Sequence, residues 1–188
     1  MSDANKVKFG LKNVYYAKIT AWTLGVPTYA TPVAIPGAVN LSLDPQGDSS
    51  TFYADDSAYY VTTQNNGYSG TLEVAKFPET FYTDIFSSIT DLNGMVQEDA
   101  AAEPAHFALL FEFKGDAEKT RHAMYNCTCT RPTVSSATTT DTVEVQTESC
   151  TITAIPLPDD GSGHLIVKAK CSETDSTPYA AWFTSVQL

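Results

Sequence analysis

The sequence predicts a mainly β fold: two packed antiparallel sheets, a β-sandwich, with one flanking α-helix near residues 78–90 and long loop or hairpin excursions. Three observations carry this. Apolar and aromatic residues alternate with polar ones at a spacing of two in segment after segment, as half-buried strands require. Ten Tyr and nine Phe dominate the aromatics, and both favour pleated surfaces. Only the stretch after Phe77 repeats its apolar residues at helical spacing. With 188 residues the chain is long enough for a real core. Residues 1–188 read as one domain, with 156–188 a strand-containing C-terminal extension of it.

In chain order, Lys6–Gly10 is a polar lead-in and Val14–Thr20 a strand, followed by a turn over Trp22–Pro27. Val33–Leu43 reads as a strand with Val39, Leu41 and Leu43 on one face, and Pro36-Gly37 marks a turn or an edge position. Asp44–Asp48 is expected to break it. Ser49–Val61 mixes aromatics with Asp55-Asp56, and Asn66-Gly67 has the chemistry of a tight hairpin turn. Tyr68–Phe77 alternates again, with Leu72 and Val74 opposite Thr71, Glu73, Ala75 and Phe77. Pro78-Glu79 opens the helix. Phe81, Tyr82, Ile85, Phe86 and Ile89 form its core-facing stripe, and Asp91–Gly94 ends it.

Ala105–Thr130 is the predicted centre of the main sheet. Phe107, Leu109, Phe111 and Phe113 share one face of a first strand. After a short charged turn, Ala123, Tyr125, Cys127 and Cys129 share one face of a second, with His122, Met124, Asn126 and Thr128 on the other. Thr133–Thr142 is a Ser/Thr-rich turn. Val143–Ile155 follows as a strand whose apolar phase shifts, which predicts a bulge near Thr147–Ser149. Pro156–Gly163 is a loop, His164–Cys171 a strand and Ser172–Pro178 a polar link. The final Tyr179–Val186 can tuck Trp182 and Phe183 against the body.

A formal net charge of −11 repels phosphate backbones, which argues against tight nucleic-acid binding but not against a wall that DNA slides past. The N-terminal segment lacks the pattern of a secretory signal, and no window approaches 18 apolar residues. The four cysteines are then expected to be free thiols in a reducing compartment. Cys127-X-Cys129 near His122 invites a zinc reading, but Cys150 and Cys171 do not supply the second knuckle that structural sites use, so small buried hydrophobes are the expectation. His106, His122 and His164 have no nucleophile elbow or paired cysteine beside them. Adjacent strand residues point to opposite faces, so Asp55-Asp56 is a poor acid–base pair and reads as a solvated or ion-binding acidic loop. Phosphate-cradling glycine motifs are absent. Neither an active site nor a cofactor is expected.

Five segments in this order, KVKFGLKNVYYAKIT, IPGAVNLSLDPQGDSSTFYADDSAYY, NNGYSGTLEVAKFPETF, FALLFEFKGD and RHAMYNCTCTRP, resemble the major tail protein family of long-tailed, siphovirus-type bacteriophages. The resemblance spans roughly Lys6 to Ile155 and fades beyond Pro156. It implies a tail-tube-like sandwich that assembles as stacked, hexameric rings whose strands join into a hollow tube for DNA ejection. The implied partners are further copies of the chain, the tape-measure protein, and the tail-tip, distal tail and terminator proteins. DNA would pass only transiently. The implied location is the virion tail, assembled in the host bacterial cytoplasm, with no membrane association. Ring closure would also account for exposed aromatics and open edges around residues 33–77, which a monomer avoids.

In that setting Asp44, Asp48, Asp55, Asp56 and Glu73 are candidate lumen-facing acids. The loop Pro45–Tyr60, with Phe52, Tyr53, Tyr59 and Tyr60, is the candidate contact to the next ring. The plainer reading of each acid is solvated surface charge. Three other functions compete: another tail component of similar fold (a terminator or distal tail protein), a carbohydrate- or protein-binding sandwich, and an enzyme on the same scaffold.

Overall fold

Two apolar strands set the frame. In the computed structural model, which describes residues 7–138, 145–174 and 176–188, β10 (Phe107–Phe113) and β11 (Arg121–Cys129) pair antiparallel at the middle of the main sheet. Before them in the chain come β1 (Leu11–Thr23), β2 (Val26–Tyr29), β3 (Val33–Ala34), β4 (Ala38–Gln46), β5 (Ser49–Ala54), β6 (Ser57–Thr63), β7 (Gly67–Val74), α1 (Glu79–Ile85), β8 (Ile89–Thr90) and β9 (Val96–Gln97). After them come β12 (Glu148–Ala154), β13 (Lys168–Cys171) and α2 (Ser176–Ala181). The sheet runs β2-β1-β10-β11-β12-β7-β4, with β3 on β1 and β13 on β11. The fold is mainly β and antiparallel, as the alternation predicts.

The sheet forks at β11, which pairs with β12 through Cys127–Cys129 and with β13 through Arg121–Met124. On one side of the β1-β10-β11 centre, Tyr16, Leu72, Phe81, Ile85, Phe107, Leu109 and Ile152 form the main core. Phe81 is its hub, stacked on Phe77 at 4.8 Å and edge-on to Tyr16 at 5.1 Å. On the other side Leu110, Ala123, Tyr125 and Cys171 pack under Trp182. The predicted tucking of the C-terminal aromatics is therefore seen, through a second short helix where a polar link was expected. Tyr125 Oη donates to the Gln187 carbonyl at 2.6 Å, and Trp182 Nε1 donates to that of His122 at 3.3 Å.

Several expectations are corrected. The bulge lies in β11, not near Thr147–Ser149. Phe107 faces Cys127 while Leu109 faces Met124, so β11 carries one extra residue. It moves Cys127 and Cys129 onto the face of Met124 in the main core and leaves Ala123 and Tyr125 in the second cluster. β12 pairs with β7 without a shift, because Val145 precedes the strand and is exposed; Val143 lies outside the described residues. The helix is shorter than predicted. Pro78 caps it in extended conformation, and Ser87, with φ 53°, turns the chain away after Phe86. Phe81, Ile85 and Phe86 are buried and Tyr82 half-buried, but Ile89 is exposed in β8 rather than on the helix stripe. Phe77 lies past the end of β7 and turns into the core.

Candidate assembly surface

The most unusual feature grows from β4 and β7. Their ladder does not stop at Gln46: Asn66 N–H donates to the Gln46 carbonyl (2.8 Å) and Gln64 N–H to that of Asp48 (3.0 Å), which leads directly into the β5–β6 pair. Ala38 to Val74 is thus one long hairpin. Its strands are so close at the waist that a Cβ on Gly47 would lie 1.9 Å from the Gln64 carbonyl oxygen. Asp44-Pro45-Gln46 continues β4 instead of breaking it, because β4 is an edge strand with β7 as its ladder partner and tolerates proline there.

Beyond the waist the hairpin is an arm. Every residue of β5 and β6 is exposed except the partly covered Ala54 and Thr62. The arm is about 25 Å long at 3.3 Å per strand residue. Phe52 and Tyr60 sit opposite each other across it, and Tyr53 and Tyr59 add to its apolar surface. The reversal is at Asp55-Asp56, both with positive φ (51° and 55°), the signature of a type I′ turn; Ser57 Oγ ties it to the Ala54 carbonyl. Asn66-Gly67 is therefore not the hairpin turn but the entry to β7. Asp55 and Asp56 are loop-tip acids, not neighbouring strand residues on opposite faces.

The five candidate acids separate into two groups. Asp48, Asp55 and Asp56 belong to the arm, at its base and tip. Asp44 and Glu73 stand on the outward face of the β12-β7-β4 branch, since Leu41, Leu43 and Leu72 take the inward face. The register there aligns three rows across three strands: Asn40, Glu73 and Ser149; Ser42, Thr71 and Thr151; Asp44, Ser69 and Thr153. All nine positions are polar, two are acids and none is basic. Thr147 Oγ1 donates to Glu73 Oε1 at 2.5 Å and holds that carboxylate on the wall.

Inside the fork, Leu41, Leu43, Tyr68, Phe111, Phe113 and Met124 line an open groove of about 210 Å³. Lys8 and Lys168 stand at its rim, 5.1 Å over the Phe113 ring and 4.5 Å over the Tyr68 ring. His122 lies flat on Phe111 in the same groove, 5.2 Å between centroids. Burial first, then the nearby Lys8, hold its imidazolium below the ordinary histidine range.

Glu112 is a feature the sequence reading passed over. It is buried and receives Asn13 Nδ2 (2.7 Å), Lys12 Nζ (3.1 Å) and Arg121 Nε (3.1 Å). The Arg121 guanidinium in turn lies over two rings of the C-terminal segment, 3.7 Å from the centre of Tyr179 and 4.7 Å from that of Phe183. The available signal was a lone acid in an apolar strand with an arginine placed opposite it across the next connection.

Cys127, Cys129, Cys150 and Cys171 are all buried. His106 Nδ1 shares a hydrogen bond with Asn126 Oδ1 at 2.6 Å, and His164 stands in an exposed loop. Among the described residues no group of three His, Cys, Asp or Glu side chains is placed to hold a metal ion. No helix among them is long and apolar enough to cross a membrane.

No family model matches the chain, and no curated protein matches it. Among solved structures, it is similar to one described as the cryo-EM structure of the anti-feeding prophage cap, the AFP tube terminating cap. The TM-score is 0.44 at 12% identity, over 92% of this chain and 97% of that one. A likeness of that degree establishes neither a family nor a role.

Proposed function

We propose that this chain is a structural protein of a bacteriophage tail, assembling through its own copies into stacked rings that form the tail tube. The observation that carries this reading is the single hairpin Ala38–Val74, which combines an exposed aromatic arm with a polar wall bearing Asp44 and Glu73. An aromatic ribbon exposed on both sides is an assembly element awaiting a partner. A wall of Ser, Thr, Asn and acids without a cation is what a DNA conduit needs, because it repels the backbone and offers no cationic phosphate clamp. Rings would be hexameric, as in the family the sequence resembles, with the tape-measure protein inside during assembly and terminator and tail-tip proteins at the ends.

Negative-stain electron microscopy of the purified protein, fresh and concentrated, tests it. Tubes with a central channel support the reading. Single rings that never stack would assign the chain to a terminator or distal tail role. A monomer that also fails to extend tubes on tail-tip complexes would favour a binding module. Neutralising the wall with Asp44→Asn and Glu73→Gln is expected to leave tubes intact and slow DNA ejection; loss of tubes would make these acids interface residues.

A further inference from the structure

We propose that the arm of one copy docks in the lysine-rimmed groove of a second copy, Phe52 and Tyr60 filling the groove and the Asp55-Asp56 tip meeting Lys8 and Lys168. This rests on the ring-stacking reading and names the surface that receives the arm. Three observations converge on it. The arm carries a facing aromatic pair left largely uncovered by the described residues of its own chain, and a two-stranded ribbon is marginal by itself in water. The groove is apolar, open and about 210 Å³, and a cavity of about 150 Å³ already admits a benzene ring.

Charge supplies the third. The chain has 22 acids against 11 Lys and Arg, yet Lys8, Lys168 and His122 line this groove and, among the described residues, no acid does. The arm ends in two adjacent acids and carries no Lys or Arg from Ser49 to Thr63. Opposite charges on the two surfaces fix the direction of docking. The arm's own groove is out of play, because Leu41, Leu43 and Tyr68 form part of its wall and belong to the root from which the arm extends away. Donor and acceptor are different surfaces, so each docked copy leaves one arm and one groove unfilled, and the contact propagates.

The test is a mixed cross-link between two full-length variants, Ser57→Cys beside the tip and Lys8→Cys at the rim. Under oxidising conditions the mixture is expected to give a disulfide-linked pair that neither variant gives alone. Adding Phe52→Ser and Tyr60→Ser to the first variant should abolish it. As a second measurement, Lys8→Glu with Lys168→Glu should weaken self-association about tenfold or more, and Asp55→Lys with Asp56→Lys in the same chain should restore it. Tubes without the cross-link, or tubes whose cross-link is indifferent to the aromatic changes, overturn the groove while the tube reading stands. Closed, cross-linked dimers keep the groove and overturn the tube. A chain that stays monomeric and uncross-linked at high concentration, and also fails to extend tubes on tail-tip complexes, overturns both.

Discussion

Replacing Phe52 and Tyr60 by serine separates a residue that holds the fold from one that holds the assembly. In the single chain Phe52 is 62% exposed and Tyr60 61%. For aromatic side chains of roughly 200 Å², about 120 Å² of each therefore remains to be covered by a partner. At ~25 cal/mol per Å² this is about 3 kcal/mol apiece in gross transfer energy. Association returns only part of that, since ordering the arm and fixing two bodies oppose it. Counting half gives about 3 kcal/mol for the pair, or roughly a hundredfold weaker contact. The same substitutions should change the stability of the isolated chain by no more than about 0.5 kcal/mol. The concentration at which the protein begins to pellet, set beside its urea midpoint, measures both quantities. A pelleting threshold within about threefold of the unsubstituted protein, against the roughly hundredfold expected, would refute the reasoning. A steep drop in the urea midpoint would show that the arm belongs to the fold.

Three further outcomes test other parts of the molecule. Glu112→Ala leaves the Arg121 guanidinium, whose side chain is 19% exposed, without its carboxylate and should cost about 3 kcal/mol in urea unfolding; a loss below about 1 kcal/mol would mean that the cluster is effectively solvated. The pKa of His122 is held down, chiefly by burial. A depressed histidine contributes stability that is present above its unfolded pKa, near 6.5, and lost as pH falls through the lower folded value. Thermal stability should therefore decline on acidification below about pH 6.5, and His122→Phe should flatten that slope; an unchanged slope would place its origin elsewhere. Burial pushes the Cys127 thiol up to about 12, and a hydrogen bond with Cys150, then burial, raises Cys129 as well. A colorimetric thiol reagent at about pH 8 should find Cys127, Cys129 and Cys150 unreactive until the protein is denatured, and rapid native labelling would contradict the packed core.

The sequence by itself determined the class of fold and its centre. The apolar density and spacing of Phe107, Leu109, Phe111 and Phe113, with the alternation over Arg121–Thr130, were enough to place β10 and β11, because a strand's inside and outside are written at a spacing of two within one segment. The same local reasoning identified residues 33–77 as carrying too many acids and polar aromatics to be core throughout, and Phe81, Ile85 and Phe86 as a buried helical face. It failed where a single residue changes the phase. The bulge in β11 moved Cys127 and Cys129 to the other face, and Ser87 carried Ile89 off the helix. Only the tertiary structure decided what lies side by side. The wall joins Asn40, Glu73 and Ser149 from three strands, the groove joins Lys8 to Lys168, and Glu112 gathers Asn13 and Arg121. No segment contains these neighbours together, because register between distant strands is set by how whole faces pack, not by the pattern within any one of them.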